Sequence, residues 1–452
     1  MKRSIVLLCT AALVLLSAEV SAKTPKYVIM MIGDGMGINH VTATQYYMDS
    51  QGMGDLNFYH FPVRTFVTTR SASSLVTDSA AAGTALSCGS KTNNGSVGWS
   101  TEGQPLENLV EKAAKKGYGT GVVSTDGICQ ATPATFSAHC ASRKSTDDIA
   151  VQMLSSKIDF IAGGSVKTKE KTPEEWVAYA REQGRTVFCN GEKYVPCRGS
   201  RVLYLSDDLS RGDLAYAIDR KEGQIGLLDY TSAALDYLYG NFKNGFFLMV
   251  EGGNIDHASH SRDAACVFGE IIDFSKSVSL ALEFYEKHPD ETLLIVTSDH
   301  ETGACMISGK KTSFLANQDC SVNTLTSELS ALCANGAEPS WQEVKNLLSA
   351  HTGLWDKVSV DKNEERVFTR LYTESFLDRQ SDEEKDLYHS NKKIAVEAVL
   401  YLGERSGVQL VYSSHTGAPV GLYAIGVNAD KLGACRDNTD IPVTIAKIAG
   451  YK

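Results

Sequence analysis

No Cys-x-x-Cys pair occurs among the 11 cysteines, so nothing here resembles a zinc knuckle. Gly-x-Ser-x-Gly is absent as well, which removes the strained turn that exposes the nucleophile of many Ser-His-Asp hydrolases. Internal repeats and low-complexity linkers are missing. Beyond the first residues, no run is long and apolar enough for the roughly 20 residues that span a bilayer. Positive charge is in short supply: 44 Lys and Arg face 54 Asp and Glu, a formal net charge of −10. Such a balance argues against nucleic acid as a general partner. It also means that an anionic substrate must be drawn in by local metal charge rather than by the overall field.

What is present begins with a targeting pattern. Lys2 and Arg3 precede an apolar stretch over 5–16, and Val20-Ser21-Ala22 offers the small residues that a signal peptidase reads. Residues 1–22 are therefore expected to be a signal peptide, and 23–452 a mature chain without a membrane anchor, exported to the periplasm or secreted. Removing Cys9 with the signal leaves an even set of cysteines, and an oxidising compartment favours disulfides. Cys189–Cys197 and Cys320–Cys333 are the expected pairs, each closing a short loop in a polar segment. Cys88, Cys129, Cys140 and Cys266 read equally well as small buried residues.

Buried-strand and helix signals alternate, which is the α/β pattern. Strands are predicted over 27–32, 119–124, 158–162, 246–250, 293–297 and 422–427. Leu106, Leu109, Val110, Ala113 and Ala114 have helical spacing that Gly117 ends, and a longer helix is predicted over 263–288. Two stretches read as peripheral insertions, about 166–211 and about 308–407. The second is read as a solvated cap or an oligomer contact in preference to a substrate gate. Asp34, Glu251 and Asp299-His300 each follow closely on an apolar run. In an open parallel sheet, ligands gather outside the carboxyl ends of the strands, so three strands deliver metal-type ligands to one edge.

Asp256 and His260 lie four apart, and His415 joins them from the C-terminal region. One carboxylate and two imidazoles suit Zn, with a position left for substrate or water. Asp34, Asp299 and His300 form a second such set. Asp34, Thr132 and Glu251 offer only oxygen and suit Mg²⁺, with Asp34 bridging. Taken singly, each of these residues is structurally bland. Ser79, in Thr77-Asp78-Ser79-Ala80-Ala81-Ala82, reads as a helix start whose amides favour a phosphate, although a simple N-cap is the competing reading. No neighbouring His supplies a base, so activation falls to zinc. Arg143 is the candidate for a bidentate grip on phosphate. On its local sequence alone, it is a surface arginine.

Taken together, Ile32-Gly33-Asp34-Gly35-Met36-Gly37, the Ser79 segment, Ala131-Thr132-Pro133-Ala134 with Arg143, Glu251 to His260, Asp299-His300 and Ser413-Ser414-His415-Thr416-Gly417 resemble the alkaline phosphatase family. The resemblance is close over 27–144 and 246–303, returns at 413, and is loose in the two insertions. It implies a three-layer α/β/α sandwich with a large, mostly parallel central sheet, usually in a homodimer. It also implies hydrolysis of phosphate monoesters through a phosphoserine, with Ser79 as nucleophile and Arg143 as phosphate clamp. Asp256, His260 and His415 match the first zinc site, Asp34, Asp299 and His300 the second, and Asp34, Thr132 and Glu251 the magnesium site. Asp78, Gln130 and His257 are expected beside these ligands. Gln130 and His257 depart from the best-known bacterial pattern, which has Asp and Lys there; a neutral Gln130 is expected to weaken the hold on Mg²⁺. Related phosphodiesterases generally lack the third metal site, and a sulfatase needs Cys/Ser-x-Pro-x-Arg, which Ser79 does not have. A non-catalytic metal or phosphate scavenger is the reading from another class, against which Ser79 and Arg143 count.

Overall fold

The computed structural model describes residues 23–309, 311–378 and 382–451. The expected signal peptide, residues 1–22, lies outside them. The central sheet has nine strands: β1 (Tyr27–Gly33), β2 (Val63–Val67), β3 (Gly119–Ser124), β4 (Phe160–Gly163), β5 (Arg185–Phe188), β6 (Arg201–Leu205), β7 (Phe246–Gly252), β8 (Thr292–Thr297) and β9 (Val420–Gly426). Their order is β2-β9-β8-β1-β7-β3-β4-β6-β5. All pairings are parallel except those of β9, which runs antiparallel to both β8 and β2.

Strand β1 shows why the sheet is covered on both sides. Every one of its residues is buried. Ile29 and Met31 pack into one core, while Val28, Met30 and Ile32 pack into the other. A strand hidden on both faces carries a continuous apolar run rather than an alternating one. Helices Ile38–Gln51, Leu227–Asn241, Ala264–Lys287 and Lys393–Ser406 close the first core. Ser79–Cys88, Leu109–Lys115, Thr146–Ser155, Pro173–Glu182 and Asp440–Ile448 close the second. The architecture is the expected three-layer α/β/α sandwich.

Register then sets the place of the chemistry. Glu251 in β7 stands opposite Ile32 of β1 and Ser124 of β3, and Ile32 also faces Thr297 of β8. The carboxyl ends of four strands therefore finish level. Asp34, Glu251 and Asp299 lie at or just past that common edge.

Neither insertion is as peripheral as its composition suggests. Within 166–211, β5 and β6 extend the main sheet beyond β4. The charge there is partly structural. Buried Arg185 donates to the carbonyls of Leu154, Ile158, Met153 and Ser156, and burial lowers its pKa to about 9. Within 308–407, Leu325, Leu329, Val344, Leu348 and Phe368 join the core of the long Ala264–Lys287 helix.

The expected disulfides are not formed: Cys189, Cys197, Cys320 and Cys333 are all free thiols. Cys320 and Cys333 flank the ten-residue helix Val322–Ala331. At 1.5 Å per residue, it holds its ends about 15 Å apart, beyond the roughly 7 Å that a disulfide spans. Cys189 is buried with the second core, whereas the Cys197 carbonyl accepts from Asn241 in another helix. Among the described residues, no helix is long and apolar enough to cross a membrane.

Candidate active site

The Ser79–Cys88 helix starts at the sheet edge with Asp78 as its N-cap, the Asp78 side chain accepting from the Ala81 amide. Ser79 is therefore the first helical residue and not the cap. Ala80, Ala81 and Ala82, all buried, let the helix approach closely. The Ser79 hydroxyl is buried, 3.1 Å from His300 Nε2.

Two metal-type sets converge on that hydroxyl. In the first, His260 Nε2 lies 3.3 Å from Asp256 Oδ2 and 3.2 Å from His415 Nε2, and His415 Nε2 lies 3.7 Å from Asp256 Oδ1. The two rings are fixed from behind, with His260 Nδ1 2.7 Å from the Ser413 carbonyl and His415 Nδ1 2.9 Å from the Thr77 carbonyl. With both Nδ1 atoms donating to carbonyls, the two Nε2 lone pairs point at each other. A metal ion or a shared proton relieves that opposition, and backbone partners of this kind are what orient metal-binding histidines. In the second set, His300 Nε2 lies 3.1 Å from Asp299 Oδ2 and 3.5 Å from Asp34 Oδ1. The Gly35 and His300 amides pin the other oxygen of Asp299. His300 stacks on His415 with ring centroids 3.6 Å apart, which joins the two sets.

The oxygen-rich set is assembled too. Thr132 donates to Asp34 Oδ2 at 3.2 Å, and Ser124 donates to Glu251. Among the described residues, the buried oxygens Asp34 Oδ1, Glu251 Oε1 and Asp299 Oδ2 have no hydrogen-bond partner. Orphaned carboxylate oxygens in a dry site are costly unless cations complete them. Burial first and neighbouring carboxylates second push Asp34 and Asp299 well above the usual range and Glu251 to about 8. Burial also raises Asp256, but His260, His415 and His300 outweigh it and hold that carboxyl well below. The donor sets fit bound metals: nitrogen with oxygen in two of them, oxygen alone in the third.

Arg143 is half-buried, with Nη1 3.4 Å from Asp78 Oδ2. Asp78 thus caps the Ser79 helix and holds Arg143 beside it. Burial works against the Arg143 charge, but Tyr388, Asp78 and Asp34 more than offset it. Gln130 sits at the N-cap of the short Ala131–Thr135 helix that carries Thr132, without a side-chain capping bond.

Three residues here escape a reading of the sequence. Asp126 and Asp213 flank the buried His257, at 3.3 Å from Nε2 and 3.5 Å from Nδ1. Burial lowers the His257 pKa, but the two carboxylates outweigh it and bring it to about 10; Asp126 itself is raised by burial to about 7. Asp126 also acts on Glu251, so a carboxylate stands beside the oxygen-rich set although Gln130 brings no charge. Tyr388 comes from the loop between the short strands Glu383–Lys385 and Ser390–Lys392. Its ring lies over His257 at 3.7 Å, and its hydroxyl donates to Asp256 Oδ2 at 3.2 Å. The segment read as a solvated cap therefore reaches the cluster of metal-type side chains. Asp126 carries a usable signal, being an acid two residues past β3; Asp213 and Tyr388 carry none.

The alkaline phosphatase family description matches residues 25–451. Alkaline phosphatase 4 of Bacillus subtilis is 31% identical over 439 residues, covering 93% of this chain and 88% of the relative. The solved cold-active alkaline phosphatase of a psychrophilic Shewanella superposes with a TM-score of 0.76 at 27% identity, covering 94% of this chain and 99% of that one. The alkaline phosphatase of the Antarctic bacterium TAB5 gives a TM-score of 0.67 at 25% identity, with 95% and 100% covered. The chain belongs to the alkaline phosphatase family and is a phosphomonoesterase.

Proposed function

We propose that the chain hydrolyses phosphate monoesters through a phosphoserine on Ser79. The observation that carries this reading is the position of the Ser79 hydroxyl, 3.1 Å from His300 Nε2 and beside two nitrogen–carboxylate sets. Asp256, His260 and His415 would hold one zinc ion, and Asp34, Asp299 and His300 a second. Asp34, Thr132 and Glu251 would hold a third ion of the Mg²⁺ type, with zinc as a competitor. A solved TAB5 alkaline phosphatase variant is described with Mg bound. When bound, such metals lower the pKa of a hydroxyl or water and neutralise charge on phosphoryl and leaving oxygens.

The residues of the chain do the rest. Arg143, steadied by Asp78, grips two non-bridging phosphate oxygens and turns phosphorus toward Ser79. Ser79 Oγ loses its proton and bonds to phosphorus as the bond to the substrate alcohol breaks, and the alcohol leaves protonated. Water then attacks the phosphoserine from the opposite side, the Ser79–phosphorus bond breaks, and Ser79 regains its proton as inorganic phosphate departs. The Ser79 helix start contributes its amides to the same anion.

Relative rates on one aryl alcohol as phosphate monoester, phosphate diester and sulfate, with zinc added and removed, test this reading. A monoester preference that needs zinc supports it, and faster turnover of the diester or sulfate defeats it. We also propose export with cleavage near Ala22 and a homodimer. N-terminal sequencing of the exported protein and its mass in solution test those two points.

A further inference from the structure

A cavity of about 510 Å³ opens beside the metal cluster. It falls within the roughly 300–1,000 Å³ of small-molecule sites and is far larger than one phosphate needs. Gln130, His257 and Tyr388 form its inner wall. These residues tie it to the cluster: Gln130 precedes the helix of Thr132, His257 follows Asp256, and the Tyr388 hydroxyl donates to Asp256.

The outer wall comes from both insertions. Lys167 and Arg211 stand at the two ends of the first, and Leu387 belongs to the hairpin of the second, next to Tyr388 of the inner wall. That hairpin is anchored over the site by Ser261 donating to Asp386 at 2.9 Å and by the Arg262–Glu384 ion pair. Lys167 and Arg211 are exposed, and neither is ion-paired among the described residues. The carboxylate on the lining is Asp213, which already faces His257 at 3.5 Å. Lys167 and Arg211 share this rim with Asp213, and Arg211 also acts on Asp208, so the rim offers two individual cationic side chains to an anion in a concave, aromatic-walled site.

We propose that this cavity receives the alcohol portion of the substrate, and that Lys167 and Arg211 select monoesters whose alcohol carries a second anionic group. The proposal rests on the monoesterase reading and deepens it. The cluster grips the phosphoryl group alike in every monoester, so discrimination falls to whatever the rest of the molecule touches. A six-carbon acid extends from the phosphate into the cavity with Tyr388 against its chain and its carboxylate at the rim.

The test compares two esters of equal length, gluconate and sorbitol, each with phosphate on its terminal carbon. Wild type favours phosphogluconate in kcat/KM by about tenfold, the scale of a charge-assisted contact. Lys167→Ala/Arg211→Ala brings the ratio to about one, and Lys167→Arg/Arg211→Lys, which keeps both charges, retains a preference for the acid. A partly unfolded sample lowers both rates alike and leaves the ratio intact. Equal rates in wild type, or a preference that survives in the double alanine variant, overturn the proposal. Hydrolysis of an aryl phosphate monoester but of neither of these esters also overturns the proposal, whereas failure on the aryl ester as well defeats the monoesterase reading itself.

Discussion

His260 Nε2 and His415 Nε2 face each other at 3.2 Å, each ring fixed by a backbone carbonyl on its far nitrogen. That opposition of lone pairs is the feature on which the proposed first zinc site rests. Replacing His415 with Ala removes one of the two nitrogens and leaves His260 and Asp256 in place. The variant is expected to lose about one zinc per chain preferentially, since zinc sites rarely hold with two protein ligands. Elemental analysis of the dialysed variant checks this, and a full zinc complement contradicts the assignment.

Arg143 stands outside the metal sets and is held by Asp78. Arg143→Ala is expected to weaken binding of inorganic phosphate by about ten- to a hundredfold, the cost of a charge-assisted bidentate contact. Chemistry on an ester with a good leaving group suffers less. The inhibition constant for phosphate is the readout, and an unchanged constant removes Arg143 from the site.

Asp126 tests the oxygen-rich set. Its carboxylate acts on Glu251 and pairs with His257, which compensates in part for the neutral Gln130. Asp126→Asn is expected to loosen binding of Mn²⁺, a spectroscopic stand-in for Mg²⁺, by about ten- to a hundredfold, the usual scale for an outer partner of a metal ligand. Gln130→Asp, which adds charge, is expected to tighten it. Titration of Mn²⁺ by paramagnetic resonance in otherwise zinc-loaded protein measures both, and an Asp126→Asn variant with wild-type affinity refutes the role.

Without metals, the buried carboxylates make stability depend on pH. Asp126 and Glu251 are raised to about 7 and about 8, and Asp34 and Asp299 are raised well above their usual value. Groups that bind protons more tightly when folded contribute fully below the ordinary carboxylate pKa, and that contribution is lost as pH climbs through the folded value. Asp256 acts in the opposite sense on the acid side of the usual carboxylate value, and His300 and His40, lowered by burial, act in the opposite sense up to the ordinary histidine value. Chelated protein is therefore expected to lose thermal stability between about pH 7 and about pH 9, where the raised carboxylates act unopposed by these groups, and zinc with Mg²⁺ to restore it. A flat melting temperature for the chelated protein across that range contradicts the account.

The sequence makes Asp34, Glu251 and Asp299 legible because an apolar run broken by an acid marks the carboxyl end of a buried strand, and β1, β7 and β8 finish level. Ser79 reads as a helix start for the same local reasons. The positions of His257 and Tyr388 are set by long-range pairing instead. Asp126 and Asp213 reach His257 from separate loops, and the Asp386 and Glu384 anchors carry Tyr388 over the Asn254–His260 helix. A polar, charged stretch gives no hint of such a destination. The short strands β5 and β6 are hidden in the same way, because buried Arg185 makes a sheet-edge segment look like surface.

Ser79 is the proposed nucleophile of a metal-loaded phosphomonoesterase. Ser79→Ala, assayed for aryl phosphate hydrolysis alongside its zinc content, tests this most directly. The account predicts a loss of activity on the order of a thousandfold or more with zinc essentially unchanged, because the metal-type atoms come from Asp and His side chains. Wild-type activity in the variant, with a normal metal count, would contradict it.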